Sequence, residues 1–260
     1  MTIDAAATTY VAALAAVFGA CLGSFANVLI HRLPRNQQVV GGRSHCPHCQ
    51  MQIAWYDNLP VVSWLLLRGR CRGCRGPIAW RYPAVELVGA VLAGVCAWLL
   101  GPTLEALRVF VFLELLFVIA IIDWEHMIIP HTLTIAGMVI GLALAPFTAL
   151  GLGPALLGLV VGGGVVLVLS EGYRLTRGQA GMGGGDVMLM GFVGTFLGPW
   201  GAAAVLGAGA LLGTLYVLIR GAGRLNGTAK LPFGTFLAGG GAVVLLWGPA
   251  IWQWYTGMFA

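Results

Sequence analysis

The chain has 260 residues, of which 59% are hydrophobic and only 9% charged, and it carries a formal net charge of +5 with a mean hydropathy of +0.90. A soluble globular domain is normally about a quarter charged, so that class is excluded. Apolar runs recur from end to end, each near the roughly 20 residues a helix needs to cross a bilayer. They are continuous rather than alternating, which argues against a β-barrel. The 40 glycines fit helices packed closely in lipid, where small residues let backbones approach.

Eight apolar segments are predicted: Thr8 to Ile30, Ala84 to Leu100, Leu104 to Ile122, Thr132 to Leu150, Pro154 to Ser170, Val187 to Leu197, Ala202 to Ile219 and Phe233 to Trp252. The sixth is short. The first has no basic residue before it and Asp4 ahead of it, while His31, Arg32 and Arg35 follow. It reads as an uncleaved anchor with its N-terminus outside. Threading onward places 31–83, 123–131, 171–186 and 220–232 on the cytoplasmic side. Of the 14 lysines and arginines only Arg108 falls elsewhere, so the positive-inside rule accounts for the basic charge without nucleic acid.

The 31–83 segment is the one sizeable soluble element, too small for a large core of its own and in need of a staple. It contains Cys46-Pro47-His48-Cys49 and Cys71-Arg72-Gly73-Cys74, two CxxC turns with 21 residues between them. That spacing suits a four-thiolate structural zinc site at Cys46, Cys49, Cys71 and Cys74. A reducing cytoplasmic location disfavours two disulfides. A redox dithiol pair, plain thiols, or His45 or His48 in place of one cysteine are the alternatives. Cys21 and Cys96 lie inside apolar segments and read as small hydrophobes.

Ionisable groups in membrane segments are functional candidates by default. Glu86, Glu105, Glu114 and Glu171 read as interfacial or packing groups. Asp123 closes the apolar run Leu115–Ile122, and Asp186 ends the stretch Gly181-Met182-Gly183-Gly184-Gly185 as the next apolar segment begins. By the threading both sit at the cytoplasmic edge. Two carboxylates at one site share a proton, one acting as base and one as acid, which is the equipment of an aspartyl protease. Gly183, Gly184 and Gly185 would let an extended substrate backbone lie beside the carboxylate. The bland alternative makes Asp186 an N-cap and Asp123 an interfacial residue. A helix N-terminus at Asp186 and a C-terminus at Asp123 would make Asp186 the base.

Taken in order, several stretches carry a resemblance: Gly19-Ala20-Cys21-Leu22-Gly23-Ser24-Phe25-Ala26-Asn27-Val28, His31-Arg32-Leu33-Pro34, Arg43-Ser44-His45-Cys46-Pro47-His48-Cys49 and Trp55-Tyr56-Asp57-Asn58-Leu59-Pro60. They continue through Arg81-Tyr82-Pro83-Ala84-Val85-Glu86, Ile122-Asp123, Ile129-Pro130, the glycine stretch to Asp186, and Pro232-Phe233-Gly234. The chain resembles the bacterial prepilin peptidases, or type IV leader peptidases, membrane proteases of the GxGD class, over nearly its whole length.

The resemblance implies an enzyme that removes the leader of prepilins and type II secretion pseudopilins at the cytoplasmic side of the inner membrane. It implies N-methylation of the new N-terminus with S-adenosylmethionine as methyl donor, Asp123 and Asp186 as the catalytic pair, and the cysteine tetrad at Cys46, Cys49, Cys71 and Cys74. Met188 stands where the family usually has lysine, and His131 where it usually has an acidic residue. No glycine-rich loop after a strand marks a nucleotide-type cofactor site.

The expectation is an all-α polytopic membrane protein of about eight transmembrane helices with a small cytoplasmic zinc-binding loop domain. Its parts are a first transmembrane helix at 1–30, a zinc-binding, methyltransferase-associated domain at 31–83 and a peptidase domain at 84–260. The expected partners are pilin-type substrate helices and lipid, not nucleic acid, and nothing in the sequence sets an oligomeric state. An ion-coupled transporter would use the same aspartates but place them near the bilayer midplane. A non-catalytic zinc adaptor would leave the glycine stretch without a purpose.

Overall fold

The computed structural model of the chain describes residues 5–178, 182–220 and 231–258. Asp4, Gly181, Arg224 and Lys230, used in the sequence reading, lie outside them. Every regular element among the described residues is helical: α1 (Ala5–Arg32), the short α2 (Val62–Leu66), α3 (Arg81–Leu100), α4 (Leu104–His126), α5 (His131–Leu144), α6 (Leu152–Arg177), α7 (Gly184–Arg220) and α8 (Phe233–Gly257). The chain divides into two compact units, Met1–Phe110 and Val111–Ala260, with the boundary inside α4.

In the first unit α1 packs along α3. The contact is glycine against glycine: a Cβ on Gly19 would collide with the Gly89 carbonyl, and one on Gly23 would come within 2.8 Å of the Glu86 backbone. This is the close approach that small residues permit between helices in lipid. Asn27 Nδ2 adds a hydrogen bond to the Tyr82 carbonyl at 3.0 Å. Between the two helices, residues 33–80 hold only short helical turns and the isolated bridges His45–Gln52 and Arg70–Pro77.

In the second unit α7 is central, packed by α6, α8 and α5. A Cβ on Gly158 of α6 or on Gly194 of α7 would run into the other's carbonyl, so the two backbones touch. Gly137 and Gly141 of α5 are filled by the rings of Phe192 and Phe196, which stack with Phe112 of α4 at centroid distances of 5.0–5.5 Å. At 37 residues α7 would be about 55 Å long if straight, nearly twice the hydrocarbon thickness. It is broken at Gly198 (φ 70°, ψ −177°), ahead of Pro199. Only glycine adopts that conformation readily, and proline cannot supply the next helical N–H.

The break separates the two segments predicted at Val187–Leu197 and Ala202–Ile219, and the other apolar segments fall on α1, α3, α4, α5, α6 and α8. Five helical stretches are long and apolar enough to cross a membrane: Ala5–Arg35, Arg81–Leu100, Leu152–Arg177, Gly184–Arg220 and Phe233–Trp254, with His131–Phe147 shorter. The all-helical membrane class is thereby met. The count of eight is not established, because α4 carries Glu105, Arg108, Glu114 and Asp123 along its length and α5 is short.

Candidate active site

Asp123 lies in the last turn of α4, which runs on to His126 beyond the apolar run, and Asp186 lies in the first turn of α7. Both are buried, at 4% and 9% exposure. Asp186 is the third residue after Gly183 rather than a cap. Its Oδ2 accepts the Gly183 N–H at 3.0 Å while the Asp186 N–H donates to the Gly183 carbonyl at 3.0 Å. This reciprocal pair closes the helix start as a capping box does. The approach to it is pinned by the Ser170 hydroxyl, which donates to the Met182 carbonyl at 2.9 Å.

Asp123 is held by the start of α8. Its Oδ2 accepts the Thr235 N–H at 2.7 Å and the Thr235 hydroxyl at 3.2 Å. Ile129 links the pieces: a Cβ on Gly185 would come within 2.9 Å of its Cβ, and one on Gly234 would meet its Cδ1 at 2.6 Å and Asp123 Oδ2 at 3.0 Å. The end of α4, the starts of α7 and α8 and the Ile129-Pro130 link thus converge around Ile129.

Among the described residues the side-chain oxygen that accepts from Gly183 and from Thr235 is Oδ2 of Asp186 and of Asp123. Gly183 and Gly184 are exposed beside buried Asp186, and a Cβ on Gly184 would meet nothing within 4 Å. Gly185 is half-buried, and the space a side chain there would need is taken by Ile129.

One expectation changes. The dipole argument gave Asp123 only the C-terminus of its own helix, but α8 also turns its N-terminal N–H groups toward it. Both carboxylates therefore face a helix N-terminus, so the helix-dipole argument no longer separates them.

The four cysteine sulfurs of Cys46, Cys49, Cys71 and Cys74 lie within 4.8 Å of one another, and Cys46 Sγ and Cys74 Sγ are 3.8 Å apart. A tetrahedral zinc with Zn–S bonds of about 2.3 Å has sulfur–sulfur edges of about 3.8 Å, so the donor set fits that ion. The two turns repeat one geometry. Cys46 N–H donates to Met51 O and Gln50 N–H to Cys46 O, just as Cys71 N–H donates to Gly76 O and Arg75 N–H to Cys71 O. Gln50 and Arg75 both have φ 58°. Backbone N–H groups of Cys49 and His48 lower the Cys46 thiol, while burial and the neighbouring sulfurs push the Cys74 thiol up, as in a cluster whose sulfurs compete for one negative charge.

Among the other acidic residues, Glu105 pairs with Arg108 and Glu171 with Arg174. The one basic residue outside the predicted cytoplasmic segments is therefore neutralised by its neighbour. Glu114 is buried with no hydrogen-bond partner for either carboxylate oxygen among the described residues. Met188 is half-buried near the start of α7, and His131 is exposed at the start of α5. Sequence reasoning missed Thr235, one position beyond the Pro232-Phe233-Gly234 stretch it had marked, as well as Ser170 and the packing task of Ile129.

Two family models match the chain: the bacterial peptidase A24 N-terminal domain over residues 17–100 and the type IV leader peptidase family over residues 110–218. Over 276 residues the chain is 36% identical to a prepilin leader peptidase/N-methyltransferase of Aeromonas hydrophila, covering 94% of this chain and 93% of that protein. A protein of the same description from Stutzerimonas stutzeri is 35% identical, with 91% of each covered. One from Myxococcus xanthus is 41% identical over 214 residues, covering 79% of this chain and 63% of the relative's length. No solved structure matches. The resemblance read from the motifs is borne out: the chain belongs to the type IV leader peptidase family.

Proposed function

We propose that this chain is a membrane aspartyl endopeptidase that removes the leader of prepilin and pseudopilin substrates at the cytoplasmic side of the inner membrane, and then N-methylates the new N-terminus. The observation that supports the proteolytic half is the burial of Asp123 and Asp186 at the end of α4 and the start of α7, two helix ends that converge on Ile129.

In cleavage, the ionised member of the pair takes a proton from water as its oxygen attacks the scissile carbonyl, and the protonated member donates to the developing oxyanion. Collapse returns that oxygen to a carbonyl and breaks the C–N bond, the departing amine taking a proton from the pair. Thr235 and the Gly183 N–H hold the two carboxylates in register, while exposed Gly183 and Gly184 leave backbone-sized space beside Asp186 for an extended substrate.

Zinc held by Cys46, Cys49, Cys71 and Cys74 is structural, since four thiolates leave no open position. S-adenosylmethionine, when bound, supplies an electrophilic methyl group on a sulfonium. The 31–83 segment with its zinc belongs to the methyl-transfer half and the helices from 84 onward to proteolysis. No observation favours the transporter reading.

The test is co-expression of a prepilin-like substrate with wild type, Asp123→Asn or Asp186→Asn, following leader removal by gel shift. Wild type is expected to process the substrate and both variants to leave it full length. Processing that continues in either variant would exclude the shared-proton mechanism.

A further inference from the structure

A cavity of about 750 Å³ lies in the first unit, between the last turns of α1, the 33–80 segment and the first turns of α3; Ser24, Asn27, Arg43, Trp64, Tyr82 and Glu86 are among the residues that line it. The size suits a cofactor-sized ligand. Its walls combine aromatic rings, basic side chains and carboxylates, and none of them comes from the segments carrying Asp123 and Asp186.

The two acidic residues of the lining differ in what they are free to do. Asp57 is committed to the Arg72 guanidinium at 2.6 and 2.8 Å. Glu86 accepts the Val61 N–H on Oε2 at 2.7 Å, with the Ser24 hydroxyl as its other neighbour. No cation among the described residues is paired with it. That bond holds Val61 at φ 60°, ψ −47°, a conformation a β-branched residue adopts only at a cost. Such local strain concentrates at ligand sites that the surrounding structure over-determines. Of the three arginines that line the cavity, Arg72 is paired with Asp57 and Arg32 is spent on the carbonyls of Gln38 and Gly41, whereas among the described residues Arg43 is tied only to the Gln52 side chain at 3.2 Å.

We propose that this cavity is the methyl-donor site, taking a nucleoside-linked sulfonium amino acid. Trp64 and Tyr82 offer faces to the base, Arg43 meets the donor's carboxylate and Glu86 meets the sulfonium charge. The proposal rests on the methyl-transfer half of the function proposed above. In the transfer, the amine freed by leader removal attacks the methyl carbon with its lone pair. The carbon–sulfur bond breaks with its electrons kept by sulfur, leaving a neutral thioether, and the methylated amine gives up a proton to water. Donor and product therefore differ by one positive charge at sulfur, and Glu86 is the group placed to read it.

The test is calorimetric binding of S-adenosylmethionine and of S-adenosylhomocysteine to the purified full-length protein as wild type and as Glu86→Gln, which keeps the acceptor for Val61 and removes only the charge. Wild type is expected to prefer the sulfonium form by about tenfold, a modest share of a close charge pair at a partly solvated site. Glu86→Gln is expected to lose that preference while holding the thioether form as before, with its zinc content unchanged as the check on folding. A variant that keeps the preference, or that weakens both ligands equally, overturns the role of Glu86. Ultraviolet cross-linking of radiolabelled donor to wild type gives a reading independent of any variant. Label on peptides within residues 24–86 supports the site, and label confined to 111–258 overturns it. A wild-type protein that binds neither ligand removes the methyltransferase reading itself, whereas binding elsewhere removes only this site.

Discussion

Thr235 serves Asp123 in both of its protonation states. Its hydroxyl has one proton and two acceptors in reach, Asp123 Oδ2 at 3.2 Å and the Ala120 carbonyl at 3.0 Å. Turned toward an ionised Asp123 it donates; turned toward Ala120 it leaves its oxygen free to accept from a protonated one. Thr235→Val removes this adaptable bond while the backbone N–H stays, and is expected to lower kcat for leader removal roughly tenfold with KM little changed, the scale of one hydrogen bond to a charged group. Steady-state kinetics on a purified prepilin would check it. Asp57 offers a test outside the membrane segments. The Arg72 guanidinium beside it holds its carboxyl below the usual carboxylate range, so its contribution to the cysteine-rich segment is complete above that range and is lost as pH falls through the lowered value. Asp57→Asn is therefore expected to make the segment more sensitive to protease at neutral pH, with the difference from wild type closing as the pH falls below about 4. Asp123, Asp186 and the cysteines were legible because their chemistry is rare in an apolar chain. Thr235 was not, because its task depends on a contact 112 residues away.

At the scale of elements, glycines set how closely the helices approach. Gly158 and Gly194 bring α6 and α7 into backbone contact, and there a side chain would meet carbonyl groups rather than a side chain able to move aside. Gly194→Leu is expected to cost more than about 3 kcal/mol, above the usual range for overpacking, and to be read as loss of the monodisperse peak on fluorescence-detected size exclusion. The α7 break at Gly198 falls in the gap between the segments predicted at Val187–Leu197 and Ala202–Ile219, though the Gly198-Pro199 pair itself was not read as its cause. The two CxxC turns were legible from spacing, but the left-handed residues after them were not. Gln50 and Arg75 take a conformation that sequence reasoning assigns to glycine or asparagine, held there by N–H donation back to Cys46 and Cys71. The cavity of the first unit left no trace in the pattern because it is assembled from three separate stretches.

At the scale of the whole molecule, the cysteine cluster and the cavity lie in the first unit, and Asp123 and Asp186 lie in the second. The small 33–80 segment contains little helix and has a four-cysteine cluster that fits zinc, so the purified protein is expected to carry one zinc per chain by elemental analysis. Cys46→Ser with Cys71→Ser is expected to lose that zinc and the segment's protease resistance, while leader cleavage suffers less than methylation. The second unit stands or falls with its aspartates acting together. Residues that work as a unit show strongly non-additive losses. The most direct measurement is the single-turnover rate of leader cleavage for wild type, Asp123→Asn, Asp186→Asn and the double variant, each checked for zinc content. Each single variant is expected to lose as much rate as the double. A single variant that cleaves near the wild-type rate, or losses that multiply in the double, would contradict a proton shared by the pair.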